Sequence, residues 1–212
     1  MVVGIDAVAA LHHRLLAELA SPGDWWDAAG RQALMEEARA ARGCARCADG
    51  RRHDSTSVLP VAAVEVVHRM VNEPGRLTRS WANGQIDALG DARYAEIVGV
   101  TAIIVAIDVG ARAVGDPPPA LAVPLDGAPA RQRPGDVGPV GAWIPMTEEK
   151  LLANVTRALS LVPRTNGTWR TLVTESYSRG PEMLSLTWER ALTRPQTELI
   201  AAHVSRMQEC FY

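Results

Sequence analysis

Eight of the chain's fourteen prolines fall between Asp116 and Pro145, mixed with several glycines. Proline lacks the amide hydrogen that helix interiors and sheet ladders require, so neither is expected to persist across this stretch. The segment 116–145 reads as an extended linker or as a strap lying over the surface. It divides the 212 residues into an N-terminal part, 1–115, and a C-terminal part, 146–212.

Both parts read as helix. One Phe and three Tyr leave little β-forming material, and 47% of residues are hydrophobic, so an all-α bundle with a substantial core is expected. Asp6 suits the start of a helix running to about Ala20, where Pro22 and Gly23 stop it. A second helix is expected over 27–42, closed by Gly43, and the polar run 49–57 as a loop. Pro60 stands at a first-turn position for a helix over 61–72, in which Val64, Val67, Met70 and Val71 recur at helical spacing. A short helix over 77–83 and a long one from Asp91 to near Gly115 follow. In the C-terminal part, helices are expected from Thr147 to near Leu161, stopping before Pro163, then over 168–179, and finally from Thr193, whose Thr-Arg-Pro-Gln run fits a capping box.

A net charge of -2 and a pI near 6.2 give no electrostatic reason to expect nucleic acid or an anionic membrane as partner. The first twenty residues lack a basic n-region and carry His12, His13, Arg14 and Glu18 where a secretory signal would be apolar. The longest apolar stretch, 97–107, is roughly half the ~20 residues of a membrane helix. The expectation is a cytoplasmic protein, and in that reducing compartment a close cysteine pair signals redox or metal chemistry rather than a staple.

Cys44 and Cys47 form such a C-x-x-C pair at a helix boundary. This spacing brings two sulfurs within bonding reach when the motif sits on a first helical turn, where free N–H groups favour thiolate, and Arg42 and Arg46 add positive charge. The alternatives are an inert pair of small residues and a zinc site. Zinc needs four ligands, and those near in sequence are His53, Asp49 and Asp54, with no second C-x-x-C, so no metal or other cofactor is expected. Glu96 and Asp108 read as cap or ion-pair residues, Arg112 as the partner of Asp108, His68 and His203 as structural histidines, and Trp25 and Trp26 as packing anchors.

The run from Glu198 through His203-Val204-Ser205 to Cys210-Phe211-Tyr212 resembles the active-site helix of the alkylhydroperoxidase D / carboxymuconolactone decarboxylase superfamily. Arg157 to Pro163 and Arg190 to Thr193 resemble the approach to that motif. In the first part, Gly43 to Cys47, Val67 to Val71, Glu73 to Trp81 and Tyr94 to Val100 are similar to the alkylhydroperoxidase-related (seleno)protein group of the same superfamily. Both parts present a helix delivering a cysteine, and setting Cys44 on Cys210 pairs Gln32 with Glu198, Leu34 with Ile200 and Ala38 with Val204, as an internal duplication would.

The resemblance implies an alkylhydroperoxidase-like helical bundle, assembled as a homo-oligomer, that reduces a hydroperoxide through thiols and is restored by an external dithiol. It implies Cys210 as resolving residue, Glu198 as general base or relay, and Cys44 with Cys47 as a second redox pair. Two departures stand out. Arg51 and Gln32 occupy the positions of the family's histidine and glutamate in the first part, leaving His53 as the substitute relay. The second motif cysteine of the C-terminal part would fall just after Tyr212, where the related group can carry selenocysteine, so a UGA codon read as a stop is an expectation that the gene sequence can check. A fold that kept its architecture and lost its relay would be a non-catalytic interaction module. A decarboxylase-type member, which works without the cysteine pair, is the remaining alternative.

Overall fold

Leu11, Leu15 and Leu19 recur every fourth residue, and in the computed structural model all three lie on one buried face of the helix α1, Ile5–Leu19. The structure describes residues 5–49, 58–149, 154–176 and 191–207. After α1 come α2 (Ala28–Ala41), the single turn α3 (Ala45–Ala48), α4 (Val61–Asn72), a 3-10 turn (Pro74–Arg76), α5 (Arg79–Leu89) and α6 (Asp91–Ala113). Beyond the proline-rich segment are α7 (Asn154–Arg157), α8 (Pro163–Ser176) and α9 (Arg194–Met207). The molecule is predominantly helical among the described residues, in line with the all-α expectation.

The core is a three-way packing of α2, α4 and α6, with α1 and α8 laid on α6 and α5 bridging α4 and α6. Leu34, Met35, Val64, Val67, Ile97, Ile103, Ile104 and Ile107 meet there, and Leu172 of α8 joins the same cluster from the far side of the proline-rich segment. Helix α6 is long and apolar enough to cross a membrane by length and composition, yet 67% of its most apolar window is buried by its neighbours. Its position at the centre of the bundle accounts for that apolarity.

Several boundaries differ from the sequence expectation: Thr147 lies in a strand rather than opening a helix, and the helix expected over 168–179 spans Pro163–Ser176. Pro163 was expected to stop a helix and instead opens α8, while 154–157 is the helical part of the described residues before it. Proline is tolerated at a first helical position because the missing N–H would be unpaired there. The N–H groups that follow are capped by a residue far away in sequence: the Asp24 carboxylate accepts from Arg164 N at 3.1 Å, Thr165 N at 3.1 Å and Thr165 Oγ1 at 3.2 Å. The helix expected over 77–83 runs instead over Arg79–Leu89, because Thr78 caps it through Trp81 N and Gly90, at φ 83°, ends it in a conformation that only glycine adopts freely.

The proline-rich segment lies across the bundle as extended chain and is fastened along its length. Leu125 N donates to Ala20 O, Ala130 N to Gly23 O and Arg131 N to Asp24 O, the last at 2.7 Å. Arg39 Nη2 donates to Pro119 O at 2.8 Å, and Arg133 forks onto Asp91 at 3.0 and 2.8 Å. Contrary to expectation, a strand does form at its end: Val137–Gly138 (β1) pairs antiparallel with Met146–Thr147 (β2), Val137 opposite Thr147. Two residues are short enough to fit between Pro134 and Pro139 on one side and after Pro145 on the other.

Glu96, fully buried on α6, locks the turn between α1 and α2. Its carboxylate accepts from Asp24 N at 3.2 Å, Trp25 N at 2.5 Å and Trp26 N at 3.1 Å, and buried Arg31 lies 3.6 Å away. Burial pushes the Glu96 carboxyl above its ordinary range, while the Arg31 charge and the Trp25 and Trp26 N–H groups pull it back. Asp108, the second buried acid of α6, accepts both Arg39 Nε at 3.0 Å and Arg39 Nη2 at 2.8 Å, and Arg112 reaches it only at 4.0 Å.

Candidate functional site

Helix α2 ends at Ala41, and the chain turns through Arg42 and Gly43 into the single turn α3, with Cys44 at its N-cap and Cys47 inside it. Helix α4 packs on both, and two of its polar residues, His68 and Asn72, four apart, share the face that meets Cys47. Cys47 Sγ stands 3.4 Å from His68 Nδ1 and 3.2 Å from Asn72 Nδ2. On the other side of the ring, His68 Nε2 lies 2.7 Å from Glu37 Oε1 of α2. Asn72 Nδ2 is also 3.0 Å from both Ala41 O and His68 O, which pins the end of α2 to α4 under the sulfurs.

A carboxylate only accepts, so Glu37 fixes the hydrogen of His68 on Nε2 and leaves the Nδ1 lone pair facing Cys47. His68 is 5% exposed, while Cys44 and Cys47 are free thiols that solvent partly reaches. The sulfurs of Cys44 and Cys47 and a ring nitrogen of His68 all fall within 4.8 Å of one another.

The two thiols differ. Burial raises the Cys44 thiol, but the N–H groups of Cys47 and Arg46, the Cys47 thiol and the Arg46 charge together bring it below its ordinary value. Cys47 is pushed up to about 11 by burial first, then by its hydrogen bond to Cys44, the charge of Cys44, and the carboxylates of Glu73 and Glu65. Cys44 is therefore the more readily ionised sulfur of the pair and Cys47 the one that holds its proton, with the His68 ring beside it.

The residues named from sequence are distributed unevenly. Cys44 and Cys47 are together, as the C-x-x-C spacing requires. Glu198 is exposed on α9, where none of the described residues is buried, and it lies 3.8 Å from Arg194. Cys210 and His53 lie outside the described residues. His68, read as a structural histidine, is the ring that meets the cysteines, and Glu37 and Asn72 had no reading from sequence at all. The one signal in the sequence was the i,i+4 spacing of His68 and Asn72, which puts both on one face of α4. Comparison finds no matching protein-family model, no matching curated protein and no matching solved structure.

Proposed function

We propose that the chain is a dithiol oxidoreductase that reduces hydroperoxides at Cys44 and Cys47, with His68 and Glu37 moving the proton. The observation that carries this reading is the continuous line Cys47 Sγ, His68 Nδ1, His68 Nε2, Glu37 Oε1, with steps of 3.4 Å and 2.7 Å across the ring. Cys44 thiolate attacks the outer oxygen of ROOH; the O–O bond breaks, giving Cys44 sulfenic acid and an alkoxide that leaves as ROH after taking a proton from water. Once Cys44 is neutral it no longer draws the Cys47 proton, which passes to His68 Nδ1 while Glu37 holds the imidazolium. The Cys47 thiolate attacks Cys44 Sγ and expels hydroxide, which takes the proton from His68 and leaves as water. One ROOH and two thiols give ROH, water and a disulfide, and an external dithiol returns the two electrons.

The family resemblance implies that the second cysteine attacks. Here the opposite displacement of the two thiols, Cys44 downward and Cys47 upward, supports Cys44 as attacker and Cys47 as resolving residue. The test is to treat the reduced protein with an alkyl hydroperoxide and map the thiols by mass. A Cys44–Cys47 disulfide is expected, and His68→Asn should let the Cys44 sulfenic acid accumulate for capture by a dimedone-type probe. If both cysteines stay reduced in folded protein, the reading fails.

A second reading, an interaction module of the same architecture, has one observation in its favour: Leu199, Ile200, Val204 and Met207 of α9 are each more than half exposed. It predicts unreactive cysteines in the same experiment.

A further inference from the structure

Near in sequence, Cys44 and Cys47 have only His53, Asp49 and Asp54 as further candidate ligands, but the fold brings a histidine to them from α4. Around tetrahedral zinc, with Zn–S about 2.3 Å and Zn–N about 2.0 Å, ligand atoms lie about 3.5–3.8 Å apart. The Cys47 Sγ to His68 Nδ1 distance is already 3.4 Å, and no pair in the triangle with Cys44 exceeds 4.8 Å. Rotamer adjustments of about 1 Å close the triangle.

His68 is also prepared as a metal ligand by its far side. A ligating imidazole ordinarily donates its other N–H to a carboxylate, which fixes the tautomer and strengthens the ligand. Glu37 Oε1 at 2.7 Å from Nε2 meets that requirement, and Nδ1 is the ring atom that faces the sulfur of Cys47. Glu65 and Glu73 place negative potential at Cys47, which favours a cation, while the Arg46 charge beside Cys44 opposes it. Both cysteines are partly exposed, so water is the candidate fourth ligand.

We infer that the reduced Cys44–Cys47–His68 cluster is a binding site for a thiophilic divalent cation, Zn²⁺, with Glu37 supporting the histidine from behind. Binding replaces the thiol protons, which go to solvent, and changes no oxidation state. Disulfide formation consumes both sulfur ligands, so metal occupancy and dithiol oxidation exclude each other. This site does not depend on the redox reading above, since a purely structural or regulatory metal would use the same atoms.

Cobalt(II) reports thiolate ligation by colour and is the probe. Full-length protein, reduced with a phosphine, is titrated with Co²⁺ and then Zn²⁺. Thiolate-to-cobalt charge-transfer bands in the near ultraviolet and tetrahedral bands in the visible are expected at a single equivalent, bleached by Zn²⁺. They should survive Cys210→Ser and vanish in Cys44→Ser/Cys47→Ser and in hydroperoxide-oxidised protein. Glu37→Gln, which leaves all three ligands in place, should weaken Zn²⁺ affinity about 10–100-fold in chelator competition. Absence of the bands in reduced, folded protein, or their persistence in the double serine variant, overturns the site. A chain that forms the disulfide without showing the bands loses only the metal site; one that shows the bands and never forms the disulfide loses only the peroxidase reading.

Discussion

Cys44 and Cys47 are two residues apart from being neighbours, yet their surroundings drive them in opposite directions. Backbone N–H groups and Arg46 surround one, whereas burial and two carboxylates act on the other. A lowered thiol pKa means that thiolate persists to lower pH, so alkylation of Cys44 should reach half its plateau rate below pH 9.0, the ordinary value. Alkylation of Cys47 should stay slow until near pH 11. The measurement is a pH series with iodoacetamide in Cys210→Ser protein under chelator, read by peptide mass. Cys47→Ala removes a donor to Cys44 and should move the Cys44 profile upward. At this scale the sulfurs were legible because their partnership is local, fixed by a spacing of three along the chain. His68 and Glu37 were not, because their contact joins residues 31 apart on two helices and depends on how α2 and α4 cross. On a single helix, His68 among valines is indistinguishable from a packed structural histidine.

Among elements, α6 carries the heaviest polar load. Its Glu96 gathers three backbone N–H groups and Arg31 in a region where the side chains of Glu96 and Arg31 are 0% and 2% exposed. Removing one member of a buried pair leaves the other charged and dry, which costs about 3–5 kcal/mol. Glu96→Ala should therefore lower unfolding free energy in urea by about that much, and Glu96→Gln, which keeps an acceptor for the turn, by less. Gly23 reads the same arrangement from the other side: a β-carbon there would stand 1.8 Å from Glu96 Oε1, so Gly23→Ala should destabilise by displacing the carboxylate while both charges remain. Helix existence was legible from apolar periodicity, as at Val64, Val67, Met70 and Val71, whereas the end of α5 at Gly90 was not, since the expected helix stopped at 83. The start of α8 was not, since its cap is Asp24, 140 residues earlier than the Arg164 amide that it accepts. Local rules treat Pro163 as a stop because they cannot see the carboxylate that makes it a beginning.

For the whole molecule, the question is what keeps thirty residues of proline-rich chain against a bundle that α2, α4 and α6 already complete. The composition alone left two readings, free linker or surface strap, and the choice rests on fastenings that come from the bundle side. Arg39 is the most connected of them, because one guanidinium both closes on the buried Asp108 carboxylate and holds Pro119 O. It stands two positions from Glu37 on α2, roughly 200° around the helix axis, so the strap and the dithiol site are held by opposite faces of one element. Sites without shared partners respond independently to mutation. Arg39→Ala removes both donors that close on the Asp108 carboxylate, whose ion pair with Arg112 is longer at 4.0 Å, and frees the strap at Pro119, so it should lower the melting temperature and speed protease cleavage within 116–135. Its Cys44 alkylation profile should match that of the parent protein. A shift of that profile in Arg39→Ala would mean that α2 transmits strain from strap to site, and the two faces would then have to be treated as one coupled unit.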